Sequence, residues 1–206
     1  FHDMGKAVCT KQEDGIWVSP KHTVAGEKDF RRFAYREAKC FDLTFCERET
    51  VAKLVRFHGL PLWFLAKGRM EFDLLRAAES VPLRLLYLLS KADVRGRIAQ
   101  EVWRMEEEVE LFADYAKELN VWEGPYAFAN LFTKYQYFHK EGLWQGAKLF
   151  DDTEFEVILM SGLPLAGKDS WIEKNGRGMS VISLDAIREE LGVPPTKGTG
   201  KVVQIA

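Results

Sequence analysis

Three cysteines, Cys9, Cys40 and Cys46, are all that the 206 residues contain, an odd number with no C-x-x-C pair. That suits reduced thiols in a cytoplasm better than a disulfide framework, and such residues are expected as small buried apolar groups. No apolar stretch approaches the roughly 20 residues of a membrane span, and no signal peptide opens the chain. Charge of one sign is also lacking: the formal net charge is −2, so no overall basic field advertises nucleic acid, and any polynucleotide site must be a local patch. Neither internal repeats nor low-complexity tracts occur. The chain starts at Phe1, not Met, and stops at Ala206 inside a helix-like segment, so it reads as part of something longer.

What is present is enough apolar material, 47% of residues with 13% aromatic, to bury one sizeable core or two small ones. Over residues 28–58 and 81–120 the apolar side chains recur at helical spacing, as in Leu83, Leu86, Tyr87 and in Val102, Met105, Val109, Phe112. Residues 98–120 read as one long helix with Glu106, Glu107, Glu108 and Glu110 on its solvent side. A further helix is predicted over 126–140, where Phe128, Leu131, Phe132, Tyr135 and Phe138 form a stripe read as core. Residues 142–153 bring turn and acidic residues, and the pattern then changes to strand, loop, helix, strand. The domain boundary is placed there, giving 1–150 as a helical domain and 151–206 as the start of an α/β domain. In the second part, 156–160 and 179–183 are predicted strands, 168–173 and 185–191 helices, and 192–200 a loop.

The first strand empties into Gly162-Leu163-Pro164-Leu165-Ala166-Gly167-Lys168-Asp169-Ser170, which has the G-x-x-x-x-G-K spacing of a phosphate-gripping loop. Glycines there let backbone N–H groups approach phosphate oxygens, and Lys168 adds a positive charge at the start of a helix whose dipole already favours anions. Gly162, Gly167, Lys168, Asp169 and Ser170 are the candidate Mg-ATP ligands. Asp169 stands where a hydroxyl residue normally meets Mg²⁺, and Ser170 follows it. Downstream, Asp185 and Arg188 form a D-x-x-R motif at the end of the second predicted strand. That motif resembles the polynucleotide kinase branch of P-loop phosphotransferases, where the aspartate is the general base for a ribose 5′-hydroxyl and the arginine contacts an acceptor phosphate. Asp185 can equally be a helix N-cap, with Arg188 its i,i+3 partner.

In the helical part His2-Asp3, His22, His58 and Asp93 supply imidazole and carboxylate ligands of the kind that divalent ions take. Their types and order resemble the HD phosphohydrolase superfamily, and within it the HD modules appended to bacterial tRNA nucleotidyltransferases, over about residues 1–97. The resemblance implies that His2, Asp3 and Asp93 hold one metal, that His22 and His58 hold a second, and that Lys6 steadies the scissile phosphate. The pattern's first histidine would precede Phe1. Fusion of such a module to a P-loop kinase module resembles a bacterial RNA end-healing enzyme. In that reading the first part removes 2′,3′-cyclic phosphate or 2′-phosphate, and the second phosphorylates a 5′-hydroxyl with ATP. An HD nucleotidase joined to a small-molecule kinase, or a scaffold that only binds nucleotide or RNA, are the alternatives.

Overall fold

The computed structural model describes residues 1–37, 42–98, 101–176, 178–194 and 199–205, and the reading of Cys40 lies outside them. The fold is mainly helical. The chain divides into two compact units, Phe1–Asp151 and Asp152–Ala206. No helix of the described residues is long and apolar enough to cross a membrane.

The first unit contains α1 (Lys6–Cys9), a hairpin of β1 (Lys11–Glu13) and β2 (Ile16–Val18), α2 (His22–Arg36), α3 (Phe45–Phe57) and α4 (Leu60–Trp63). It continues with a 3₁₀ turn (Leu65–Lys67), α5 (Met70–Ala78), α6 (Leu83–Arg95), α7 (Val102–Glu118) and α8 (Leu131–His139). The hairpin is antiparallel, with Lys11 opposite Val18 and Glu13 opposite Ile16. Its two-residue turn places Asp14 and Gly15 at φ +50° and +80°, the geometry for which Asp-Gly is favoured.

Local chemistry sets the helix starts. Thr44 and Glu47 make a reciprocal capping box on α3, Thr44 Oγ1 accepting from Glu47 N–H and Glu47 Oε2 accepting from Thr44 N–H at 2.8 Å. Asn130 caps α8 by accepting from the Thr133 N–H at 2.6 Å. α2 packs along α3, and α6 along α7. The main core gathers Phe64, Leu74, Leu83, Leu86, Phe112 and Val121, all fully buried, with Phe64 and Phe112 edge-to-face.

An ion-pair network ties α2 to α3. Glu27 Oε1 meets Lys53 Nζ at 2.8 Å and an Arg31 NH2 at 3.0 Å, and Arg31 forks onto Glu49. Burial opposes ionisation of Glu27, yet the Lys53 and Arg31 contacts outweigh it and hold its carboxyl below the ordinary 4.5. Glu49 is lowered as well, chiefly by its hydrogen bonds from Arg31. A lowered folded-state pKa means that the unfolded chain binds protons first on acidification. The contribution is therefore complete above the unfolded glutamate pKa of about 4.3 and is lost as pH falls through the folded values. The midpoint of urea unfolding should drop on acidification through that window, and Glu27→Gln should flatten the drop. Parallel profiles for the two proteins would show that Glu27 carries none of it.

Several sequence expectations need correction here. Cys9 is half-buried and Cys46 exposed, because Cys46 falls in the first turn of α3 on its solvent side. In α8 the inward positions are Thr133 and Tyr137, whereas Leu131 and Tyr135 are 82% and 58% exposed. The aromatic cluster is real, but it is built from Phe72, Phe128, Tyr137 and Phe138.

The second unit contains α9 (Lys168–Asn175), α10 (Leu184–Glu190) and α11 (Thr199–Ile205). Among the described residues the predicted strands 156–160 and 179–183 do not form, and the α/β expectation fails with them. Phe155, Val157 and Leu159 are about four-fifths exposed or more, and Val181 and Ile182 more than half. A strand exists only against a neighbour that takes its backbone hydrogen bonds, and a buried parallel strand also needs both faces covered. The short helices α9 and α10 bury none of their residues against these runs.

Candidate metal centre

The centre is assembled where three turns converge on the residue pair His2-Asp3. Close packing brings them there. A Cβ on Gly5 would lie 2.0 Å from the His22 carbonyl oxygen and 2.6 Å from the Gly26 amide nitrogen, so only glycine lets the N-terminal turn lie on the start of α2. Gly26 in turn sits where a Cβ would meet Val55 Cγ1 at 3.0 Å, drawing α3 in. At the entry to α2, Lys21 adopts φ +59°, a left-handed conformation costly for a residue with a side chain, and it turns His22 toward Asp3.

Two imidazoles are fixed the same way. His22 Nδ1 lies 2.8 Å from the Ser19 carbonyl oxygen, and His58 Nδ1 lies 2.9 Å from the Val55 carbonyl oxygen. A carbonyl only accepts, so each Nδ1 carries the proton, and in the neutral ring Nε2 keeps the lone pair. Both Nε2 atoms face Asp3 Oδ1, at 3.7 Å from His22 and 3.5 Å from His58. The second oxygen, Asp3 Oδ2, meets Lys6 Nζ at 2.7 Å and His2 Nε2 at 3.3 Å. His2 Nε2 is also 3.4 Å from Asp93 Oδ1, and Arg97 grips the other Asp93 oxygen. The five ligand-type residues singled out from the sequence therefore form one cluster centred on Asp3.

Spacing and burial bear on what the cluster can hold. Two ligand atoms about 2.1 Å from one tetrahedral ion lie about 3.4 Å apart, close to the gaps around Asp3. Asp3, His22 and His58 each place a ligand atom within 4.8 Å of the other two, so these three are a group that can hold a metal ion. Asp3 Oδ1 is buried and accepts no hydrogen bond, an expensive state for a carboxylate oxygen unless a cation meets it. Burial works against the charge on Asp3, but the hydrogen bond and charge of Lys6, with His2 and His58 nearby, hold its carboxyl below the usual range. Burial pushes the His58 ring below its ordinary value, with His2 and His22 adding to the effect and the Val55 carbonyl and Asp3 opposing it, which favours the neutral, ligating form. Imidazole and carboxylate donors without thiolate suit Mn²⁺, Fe²⁺, Ni²⁺ or Zn²⁺.

Some of this arrangement was invisible as motif. Lys6, the first residue of α1, is engaged by Asp3 in the turn that precedes the helix. Arg97, four residues after Asp93 and just past the C-terminal end of α6, grips that carboxylate. Ser90 is buried on α6 and donates to the His58 carbonyl oxygen at 2.7 Å, locking the turn that carries the ring.

In the second unit residues 162–170, read from the sequence as a phosphate loop, form a tight turn and the start of α9. Lys168 Nζ reaches back to the carbonyl oxygens of Gly162 and Leu163 at 3.0 and 2.9 Å, Leu165 and Gly167 have φ +62° and +84°, and Gly167 opens α9. Asp169 and Ser170 lie exposed in the first turn of that helix. Ser183, not Asp185, caps α10, its Oγ accepting from the Ala186 N–H at 3.3 Å. Asp185 is 96% exposed and pairs with Arg188 at 3.2 Å. No family model, curated protein or solved structure matches the chain.

Proposed function

We propose that the first unit is a metal-dependent phosphoesterase acting on RNA ends bearing 2′,3′-cyclic phosphate or 2′-phosphate. The second unit is then an ATP-dependent kinase for 5′-hydroxyl ends, and the two act in a reducing cytoplasm. The observation that carries the first half is the buried, unpartnered Asp3 Oδ1 with two fixed imidazole Nε2 atoms facing it at 3.5 and 3.7 Å. A divalent ion held there supplies activated water and polarises a phosphoryl oxygen. Asp3 presents one oxygen to His22 and His58 and the other to His2, so it can bridge two ligand groups, with Asp93 completing the second. Lys6, on the open side, has ammonium protons left after its bond to Asp3 with which to hold a phosphate oxygen.

Support for the kinase half is the Lys168 turn with its glycine-led helix and the Asp185–Arg188 pair, together with the resemblance of both motifs to polynucleotide kinases. In that role Lys168 leaves the Gly162 and Leu163 carbonyls for the β- and γ-phosphates, and Gly162, Gly167, Asp169 and Ser170 surround the Mg-ATP. Asp185 takes the proton of the attacking hydroxyl, and Arg188 holds the acceptor phosphate.

The test of the reading is Mn²⁺-dependent phosphate release from an oligoribonucleotide ending in 2′-phosphate, with ring opening to a terminal monophosphate followed on one ending in 2′,3′-cyclic phosphate, each compared with the corresponding mononucleotide. Release from the oligonucleotide that chelator stops and Mn²⁺ restores is the expected result. Preference for the mononucleotide would replace RNA ends by small nucleotides. Absence of bound metal and of hydrolysis on both would leave only a binding scaffold.

A further inference from the structure

Between the first turn of α5 and the end of α8, within the first unit, lies a cavity of about 700 Å³ that the metal centre does not use. Its floor is aromatic. Phe72 and Tyr137 stack with centroids 5.8 Å apart and planes at 29°, and Phe138 stands edge-on to both. Tyr137 is buried, and burial together with the adjacent Glu71 raises its hydroxyl pKa far above the ordinary value, so it stays a donor, bonded to Glu71 Oε1 at 3.1 Å.

The rim is cationic. Arg69, Arg76 and Lys140 line the cavity and are exposed. Among the described residues none of the three pairs with a carboxylate, whereas Arg31, Lys53, Lys91, Arg95 and Lys134 are each tied to a glutamate. The Arg69 guanidinium lies over the Phe72 ring, 4.1 Å from its centroid. Of the two carboxylates in the wall, Glu71 is already occupied by Tyr137, which leaves Glu141 against three cations.

Exposed cations above a stacked aromatic floor match the two chemistries of single-stranded nucleic acid, phosphates spaced along a backbone and flat bases able to stack on rings or guanidinium planes. An enclosed small-molecule site would instead converge a few buried polar groups on its ligand. We infer that this groove binds a single-stranded polynucleotide, with phosphates against Arg69, Arg76 and Lys140 and a base stacked beside Phe72 and Phe138. The groove deepens the proposed function and rests on it for the RNA class of the strand. The net charge of −2 makes such a local cluster the place where a polyanion can land.

The experiment is fluorescence anisotropy of a labelled oligouridylate of about 12 nucleotides, titrated with the whole 206-residue protein at several salt concentrations. Arg76→Glu with Lys140→Glu should weaken binding about tenfold or more at low salt and flatten the salt dependence by about 0.7 per lost phosphate contact, about 1.4 in all. Arg104→Glu, on the far more acidic α7, is the control and should bind as the parent does; thermal melts of all variants confirm folding. Equal affinity of parent and double variant, or no binding by the parent, overturns the groove. UMP binding as tightly as the oligonucleotide would also overturn it, since a track must gain from length. Mn²⁺-dependent hydrolysis of bis(p-nitrophenyl) phosphate by the parent protein, which needs no groove, reports separately on the metal centre.

Discussion

Asp3→Asn is expected to lower affinity for Mn²⁺ by more than about 100-fold and to remove phosphoesterase activity, while the protein stays folded. The magnitude follows from outer-shell partners: removing a group that merely orients a ligand costs about 10–100-fold, and Asp3 is placed as a ligand itself. Asparagine keeps the shape but turns one carboxylate oxygen into an NH2 donor and removes the charge, so the side chain can neither neutralise an ion nor offer an oxygen on both sides. Folding should be little affected, because the substitution also removes a buried oxygen that accepts no hydrogen bond, and the partner left behind, Lys6, is 45% exposed and can be rehydrated. Calorimetric titration with Mn²⁺ and a thermal melt on the same sample separate the two effects. Wild-type affinity in the variant would remove Asp3 from the centre, and a collapsed melt would make it a structural carboxylate.

A second substitution, Asp185→Asn, bears on the other unit. Three facts make it a sensitive probe. Asp185 is 96% exposed, its pair with Arg188 is a surface i,i+3 contact, and the capping duty on α10 belongs to Ser183. Surface pairs contribute little to stability, so a purely structural Asp185 predicts silence. If Asp185 accepts the proton of a 5′-hydroxyl, the substitution should instead slow phosphoryl transfer by about 10²–10⁴ with ATP affinity nearly unchanged. ATP-dependent labelling of a 5′-hydroxyl oligonucleotide measures the rate, and a near-parent value would remove the base role.

The helical first unit was readable because its signals are local. In α7 the spacing of Val102, Met105, Val109 and Phe112 places Val109 and Phe112 in cores, and the run ends two residues short of the expected Asn120. Residues of ligand type, His2, Asp3, His22, His58 and Asp93, could be singled out by side-chain type and order alone. How they meet could not. The double-sided role of Asp3 depends on Gly5 and Gly26 letting three chain segments touch, and nothing in the residue letters states that contact.

Other features were missed for identifiable reasons. The hairpin had its signal in Asp14-Gly15, but both strands are three residues long and largely exposed, without an apolar alternation to mark them. The face of α8 was misassigned because its aromatic residues, Phe132, Tyr135, Tyr137 and Phe138, fall on more than one side of the helix, and what turns Thr133 inward is its hydroxyl accepting from the Leu149 N–H at 3.0 Å. Residues 156–160 have β propensity, but propensity describes a surface that fits a neighbour, and among the described residues no strand pairs with them.

The clamped imidazoles have a consequence for the speed and selectivity of loading. A ring held at Nδ1 by a backbone carbonyl has one orientation before any ion arrives, so His22 and His58 do not have to be ordered by the encounter. That ordering would otherwise cost about 0.5–1.5 kcal/mol for each side chain. An ion held there would be selected by fit, since the rings could not relax around a larger one without breaking the Ser19 and Val55 contacts.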